Sequence, residues 1–246
     1  MRAEWRLTVV CVAALIVVVS SLQAVGQTPR PAFDATRLQQ GSFRYRTMVD
    51  GNEAGQSQID VRATSGTDRY RFSNAIVGAF SQRWEAIATR AFEPVSASLV
   101  FGEGATTKPM FELTYRAGRV TGTALMRRLQ PPSRQPVDEA VSADTVDQRI
   151  DWAAVMSVPV LSAGDRFAFR VYDPETGHSP VSVEVGETAQ TTVPAGTFET
   201  ARIVYRIDKN RGAETYVALV KKATPRLLVH ETFPNGSSTE LVAVSP

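Results

Sequence analysis

Two histidines and a scatter of carboxylates are the side chains with which this chain could do chemistry. His178 follows Asp173 and Glu175, so a metal site of two carboxylates and one imidazole can be drawn there. No second histidine stands at ligand spacing. Asp173-Pro174-Glu175-Thr176-Gly177 is also what a hairpin turn requires for its backbone, and His178 is read as a turn residue. His230, beside Glu231, is read as an exposed strand residue. Ser57, in Gly55-Gln56-Ser57-Gln58-Ile59, lacks the second glycine of a nucleophile elbow. Asp138, Glu139, Asp144 and Asp147 lack the alternating oxygen ligands and central glycine of a calcium loop. Asn235-Gly236-Ser237 matches a glycosylation acceptor, but Asn-Gly serves a hairpin turn equally well. No zinc-protease, phosphate-loop or dinucleotide motif occurs. Carboxylates that hydrolyse as a pair meet in space and not in sequence, so a hydrolase stays open as an alternative. The sequence assigns no catalytic residue, no metal and no cofactor.

Aromatic residues are the other candidates. Phe43, Tyr45, Tyr70, Phe72, Trp84, Phe167, Phe169, Tyr205 and Tyr216 fall on the inward faces of alternating strands. Such residues ordinarily fill a core. On a concave sheet that is only partly filled, they would instead line an apolar groove for a lipid or other hydrophobic small molecule.

The elements that carry these residues are strands. Phe43, Tyr45, Thr47 and Val49 alternate with Arg44, Arg46, Met48 and Asp50, the pattern of a strand wet on one face. Gly51-Asn52-Glu53-Ala54-Gly55 supplies a turn, and Gln56–Ala63 returns as a hairpin partner. The rhythm continues through Arg69–Phe72, Gln82–Thr89, Val95–Phe101, Phe111–Tyr115 and Arg119–Met126. Residues 129–147, with Pro131, Pro132, Pro136 and several acids, break it and are read as a long connection. Asp151 can cap one short helix through Met156. Strands resume at Arg166–Val171 and Val181–Val185, then Phe198–Ile207, Tyr216–Val220, Arg226–Phe233 and Thr239–Val244. Val193-Pro194-Ala195-Gly196 makes a tight turn in which Gly196 is free to take positive φ.

The first residues read as an export signal. Arg2 and Arg6 precede an apolar run of 13 residues, Leu7–Val19, and Ala24-Val25-Gly26 places small residues before a cut at Gln27. A membrane span needs roughly 20 apolar residues, so cleavage is expected over anchoring, which leaves no integral membrane protein. Cys11 lies inside the apolar run, and residues 27–246 contain no cysteine. Redox chemistry, disulfides and thiolate metal sites are therefore excluded from the exported chain. Of 27 Lys/Arg and 25 Asp/Glu, Arg2, Arg6 and Glu4 fall in the signal, so the remainder is nearly neutral. Broad capture of nucleic acid is disfavoured.

Several segments together resemble a family of exported bacterial proteins catalogued as domain of unknown function 3108. They are the Phe43-x-Tyr45 strand, the glycine-bounded hairpin, the Phe92-x-Pro94 step, Val193-Pro194-Ala195-Gly196-Thr197-Phe198 and the closing strands after Pro225. The resemblance spans most of residues 41–244. It implies a curved antiparallel sheet around a helix, similar to the half-barrel of the lipoprotein carriers LolA and LolB, and carries no catalytic residues.

The expectation is an all-β, mainly antiparallel chain: a curved meander or half-barrel with one short helix. Its parts are a signal peptide (1–26), a flexible lead-in (27–40) and one β-rich domain (41–246). The expected function is non-enzymatic, in the periplasm or outside the cell, binding a lipid or hydrophobic small molecule on the concave sheet. A structural or interaction module of the envelope without a pocket is the competing reading.

Overall fold

The computed structural model describes residues 30–78, 81–102 and 104–245. The expected signal segment and cleavage site lie outside the described residues. Among the described residues, fifteen strands form one sheet. The first eight are β1 Gly41–Val49, β2 Asn52–Ala63, β3 Arg69–Gly78, β4 Gln82–Thr89, β5 Pro94–Phe101, β6 Lys108–Arg116, β7 Arg119–Met126 and β8 Ser133–Ala140. Short β9 (Thr145–Asp147) leads into helix α1 (Asp151–Met156). The chain returns through β10 Arg166–Asp173, β11 Gly177–Val193, β12 Gly196–Lys209, β13 Gly212–Lys221, β14 Leu228–Thr232 and β15 Ser238–Ser245. Neighbours pair antiparallel except β9 with β10, and β15 closes back on β1, so that β8 and β9 are the two outermost strands. The all-β, mainly antiparallel expectation with one short helix holds.

Only residues 141–144 separate β8 from β9. An extended chain covers at most ~3.6 Å per residue, so the two outer strands must stand close together and the sheet must curl. It does not close into a barrel; no ladder joins β8 to β9. Side chains bridge the seam instead. Tyr115 Oη donates to Asp147 Oδ2 at 2.6 Å, Arg127 pairs with Glu175 at 2.5 Å, and His178 Nε2 lies 2.9 Å from Ala140 O. His178 is thus a seam residue at the start of β11 rather than a bystander in a turn.

The inward faces alternate as the period-two pattern requires. On β12, Ala201, Ile203, Tyr205 and Ile207 are buried while Arg202 and Arg206 are exposed. Helix α1 lies against this concave face with all six residues buried. Asp151 is its first helical residue and not its cap. Ile150 holds the cap position without a side-chain bond, and Asp147 caps the preceding turn instead. The far end of the helix is held by Arg226, itself buried, which donates to the carbonyls of Met156 (2.7 Å), Val158 (2.5 Å) and Pro159 (3.2 Å). The Met156 carbonyl is one of the orphan acceptors that a helix C-terminus presents, and Val158 and Pro159 belong to the segment that follows it.

Three expectations need correction. The connection at 129–147 contains β8 and β9. As an outermost strand β8 buries only Val137, so its apolar periodicity is lost, and Pro136 is tolerated where no further strand needs its missing N–H. The lead-in, expected to be loose, is packed against the rest of the chain from residue 30 onward. Phe33 and Leu38 are buried, Phe33 packs edge-on against Phe92 and Phe169, and Arg30 donates to Ala91 and Ala143 carbonyls. The first hairpin turns at Asp50-Gly51, both at positive φ, rather than over 51–55.

The Pro194 turn places Gly196 at φ +131, one position later than the third residue of a type II turn, where it pairs with Val193. A Cβ there would find Phe198 at an ordinary 3.9 Å, so the objection to a side chain is backbone strain alone. Gly196→Val is expected to cost about 1–3 kcal/mol. A melting curve should show a drop of a few degrees; an unchanged midpoint would mean the turn relaxes freely.

Candidate functional site

The curled sheet has two ends. At one, the N-terminal segment, the 90–93 turn and the C-terminus of α1 pack together, with Phe92 at φ +61 and its ring fully buried. At the other, the strands run past α1 and leave a cavity of about 660 Å³. Its wall comes from Thr47 and Val49 at the end of β1, Ser57 and Ile59 of β2, Ile76 and Val77 of β3, and Trp84 of β4. Opposite these stand Gln148, Asp151 and Trp152 around the helix start, with Tyr205, Tyr216, Leu228, Glu231 and Phe233 from β12–β14 and the turn beyond. Val49 and Val77 are exposed although both line the cavity, so apolar surface reaches its mouth.

Of the nine aromatic candidates, Trp84, Tyr205 and Tyr216 line this cavity. Phe43, Tyr45, Tyr70, Phe72 and Phe169 are buried in the core and Phe167 is half-buried against it; none of these six forms the cavity wall. The Tyr205 and Tyr216 rings stack at 4.9 Å with planes 6° apart, and Phe233 meets Tyr216 edge-on at 6.3 Å. Tyr45 serves the wall from behind, its hydroxyl donating to Leu228 O at 2.9 Å.

The charged groups in the lining are mostly carboxyls. Tyr205 donates to Glu231 Oε1, and the backbone N–H of Trp152 to Asp151 Oδ1 at 2.6 Å. Burial pushes the Glu231 carboxyl up to about 7 against the opposing hydrogen bond from Tyr205. Burial, and then the charge of Glu231, raises Asp151 well above the usual carboxylate range. Glu214, toward the rim, accepts from Tyr216 at 2.8 Å and pairs with Lys209 at 2.6 Å. Arg149, the one cation in the wall, is consumed elsewhere. It bonds Asp147 at 2.5 and 2.9 Å, Asp173 at 2.6 Å and Tyr172 O at 3.1 Å, and lies over the Phe111 ring.

Asp151, Glu231, Arg149 and Trp152 are the residues that strand-by-strand reading passes over. Glu231 had one visible signal: it shares a period-two face with the apolar Phe233 two positions on, so it had to point inward. That same alternation turns His230, half-buried, to the opposite face of β14. Ser57 is buried in the wall, with neither histidine beside it in the lining. Among the described residues no group of three metal-ligating side chains occurs, and no helix is long and apolar enough to cross a membrane.

No curated protein matches the chain. Among solved structures, a protein from Bacteroides fragilis described as exported, with a YmcC-like fold, is similar at 11% identity and a TM-score of 0.40. The match covers 87% of this chain and 100% of that one. A protein from Parabacteroides distasonis described as a lipoprotein is similar at 12% identity and a TM-score of 0.33, covering 87% of this chain and 99% of that one. Residues 41–242 match the family model described as protein of unknown function DUF3108, so every strand but the last three residues of β15 lies within it and the chain belongs to that family.

Proposed function

We propose that the chain is a non-enzymatic exported protein of the cell envelope that takes a lipid or other hydrophobic small molecule into the cavity at the open end of its sheet. The observation that carries this reading is the cavity itself. At about 660 Å³ it falls within the ~300–1,000 Å³ typical of small-molecule sites, and its wall is aromatic and aliphatic with a few convergent polar groups. Export is supported by the signal pattern of residues 1–26. Apolar surface left open at the rim by Val49 and Val77 stabilises a folded chain only when something covers it.

A neutral, environment-sensitive dye such as Nile red tests the idea without presupposing a head group. It is expected to bind the mature protein at micromolar concentration with a blue-shifted emission. Ala54→Trp, which puts a large ring where the cavity wall has a methyl group, should weaken binding at least tenfold while leaving the far-ultraviolet circular dichroism unchanged. Equal binding by both proteins, or none by the wild type, would remove the cavity as the site.

A further inference from the structure

The lining of the cavity is unbalanced in a way that selects the ligand's polar end. Asp151, Asp173, Glu214 and Glu231 all contribute to the wall, and Asp151 and Glu231 are each only 6% exposed. Against four carboxyls stands, among the described residues, one guanidinium, Arg149, whose charge is met by Asp147 and Asp173 and whose hydrogen bonds go to them and to a carbonyl. Lys209, from the end of β12, is tied to Glu214. Each of the two deepest carboxyls has a single donor, so one oxygen of each accepts from no group among the described residues. Two further wall residues, Asn74 and Gln148, carry buried amide oxygens with no donor. Buried acceptors without donors are costly, and buried carboxylates without a counter-charge more so.

We propose that the cavity's ligand is an amphiphile with a cationic, hydrogen-bond-donating head, an alkyl ammonium group, seated against Asp151 and Glu231 with its chain along Trp84, Ile76 and Tyr216. The inference rests on the cavity being a hydrophobic-ligand site and adds the chemistry of the head. A carboxylate or phosphate head would meet four acids and no free cation there. An ammonium group supplies both the missing hydrogens and the missing charge.

The charged and titratable groups facing the pair are Tyr45 from β1, Arg149 before α1, Asp173 from β10, Tyr205 and Lys209 from β12, and Glu214 and Tyr216 from β13. Ionisation of Glu231 strengthens its attraction for a cation, so ammonium binding should tighten as pH rises from 6 to 8.

Three probes with one tail separate the contributions: dodecylamine, dodecanol and dodecanoate, titrated below their aggregation limits at pH 8 and followed by the fluorescence of Trp84 and Trp152. Dodecylamine is expected to bind at least tenfold tighter than dodecanol, and dodecanoate the most weakly. Glu231→Gln should abolish most of the amine's advantage and leave dodecanol unchanged. Equal affinity for amine and alcohol, or a preference for dodecanoate, overturns the ammonium assignment and leaves the hydrophobic site standing. Failure of all three to bind overturns the site and this inference together.

Discussion

Arg149→Met is expected to destabilise the protein by about 3–5 kcal/mol, the usual cost of leaving a buried carboxylate without its partner. The Asp147 side chain is fully buried, and that of Arg149 only 8% exposed, so water cannot replace the lost bonds. Asp173, at 21%, is partly relieved by solvent. Burial would raise the Asp173 carboxyl, and the charge and bonds of Arg149 hold it below the ordinary range instead. Three elements lose their link at once: β9 through Asp147, β10 through Asp173 and the carbonyl of Tyr172, and the aligned Phe111 of β6 across the seam. At ~2–4 °C per kcal/mol for a chain of this size, the melting temperature should fall by roughly 10 °C. Asp147→Asn on the Arg149→Met background should recover part of the loss, because it removes the stranded charge while its amide oxygen can still accept from Tyr115. A loss below ~1 kcal/mol for the single variant, or strict additivity in the double, would show that the seam does not depend on this ion cluster.

How far the fold could be read from the sequence depended on how much of each strand was buried. β4 and β7 were legible to the residue, because Trp84, Ala86 and Ala88 in one, and Val120, Ala124 and Met126 in the other, sit on one buried face while the residues opposite, mostly polar, are less buried. β8 was not, since one inward valine among arginine, proline and acids leaves no period to detect. β9 failed for the opposite reason: its three residues are all buried, and a run that short shows no alternation. Residues 30–40 carry their information in Phe33 and Leu38, isolated apolar side chains in a Pro- and Arg-containing stretch. The partners of the Phe33 ring, Phe92 and Phe169, are far away in sequence.

The candidate site divides along the same line. Trp84, Tyr205 and Tyr216 announce themselves as inward aromatics, but nothing local tells them apart from Phe43, which is buried, or from Phe72, which packs against Trp152 of the helix and against Phe92. Whether an inward residue faces packing or space is decided by where α1 stops, and α1 is placed by Arg226, a single arginine 70 positions from the Met156 carbonyl it holds. The carboxyls at the helix start and on β14 meet only after that placement.

Glu231→Gln is expected to stabilise the protein at pH 8 and to leave it nearly unchanged at pH 4. The carboxyl, ordinarily near 4.5, is raised to about 7 in the folded chain. The folded state therefore holds its proton over a range in which the unfolded state has released it. Stability from this group is fully present below about pH 4.5 and is lost as pH rises toward and through 7. With ~1.4 kcal/mol for every tenfold change in proton affinity, the ionised carboxylate costs on the order of 3 kcal/mol at pH 8. Glutamine has the same shape, still accepts the Tyr205 hydroxyl and cannot ionise, so the cost disappears. Asp151, raised by the same burial and by Glu231 itself, contributes with the same sign and is relieved in part when its neighbour becomes neutral. Denaturant titrations of both proteins at pH 4, 5, 6, 7 and 8 should give curves that meet at the acid end and diverge by about 2–3 kcal/mol at pH 8. Parallel curves would mean that Glu231 is solvated and ordinary. A stabilised glutamine variant that has also lost its preference for an ammonium head would mean that the wild type retains, at its binding site, an electrostatic strain that the ligand relieves.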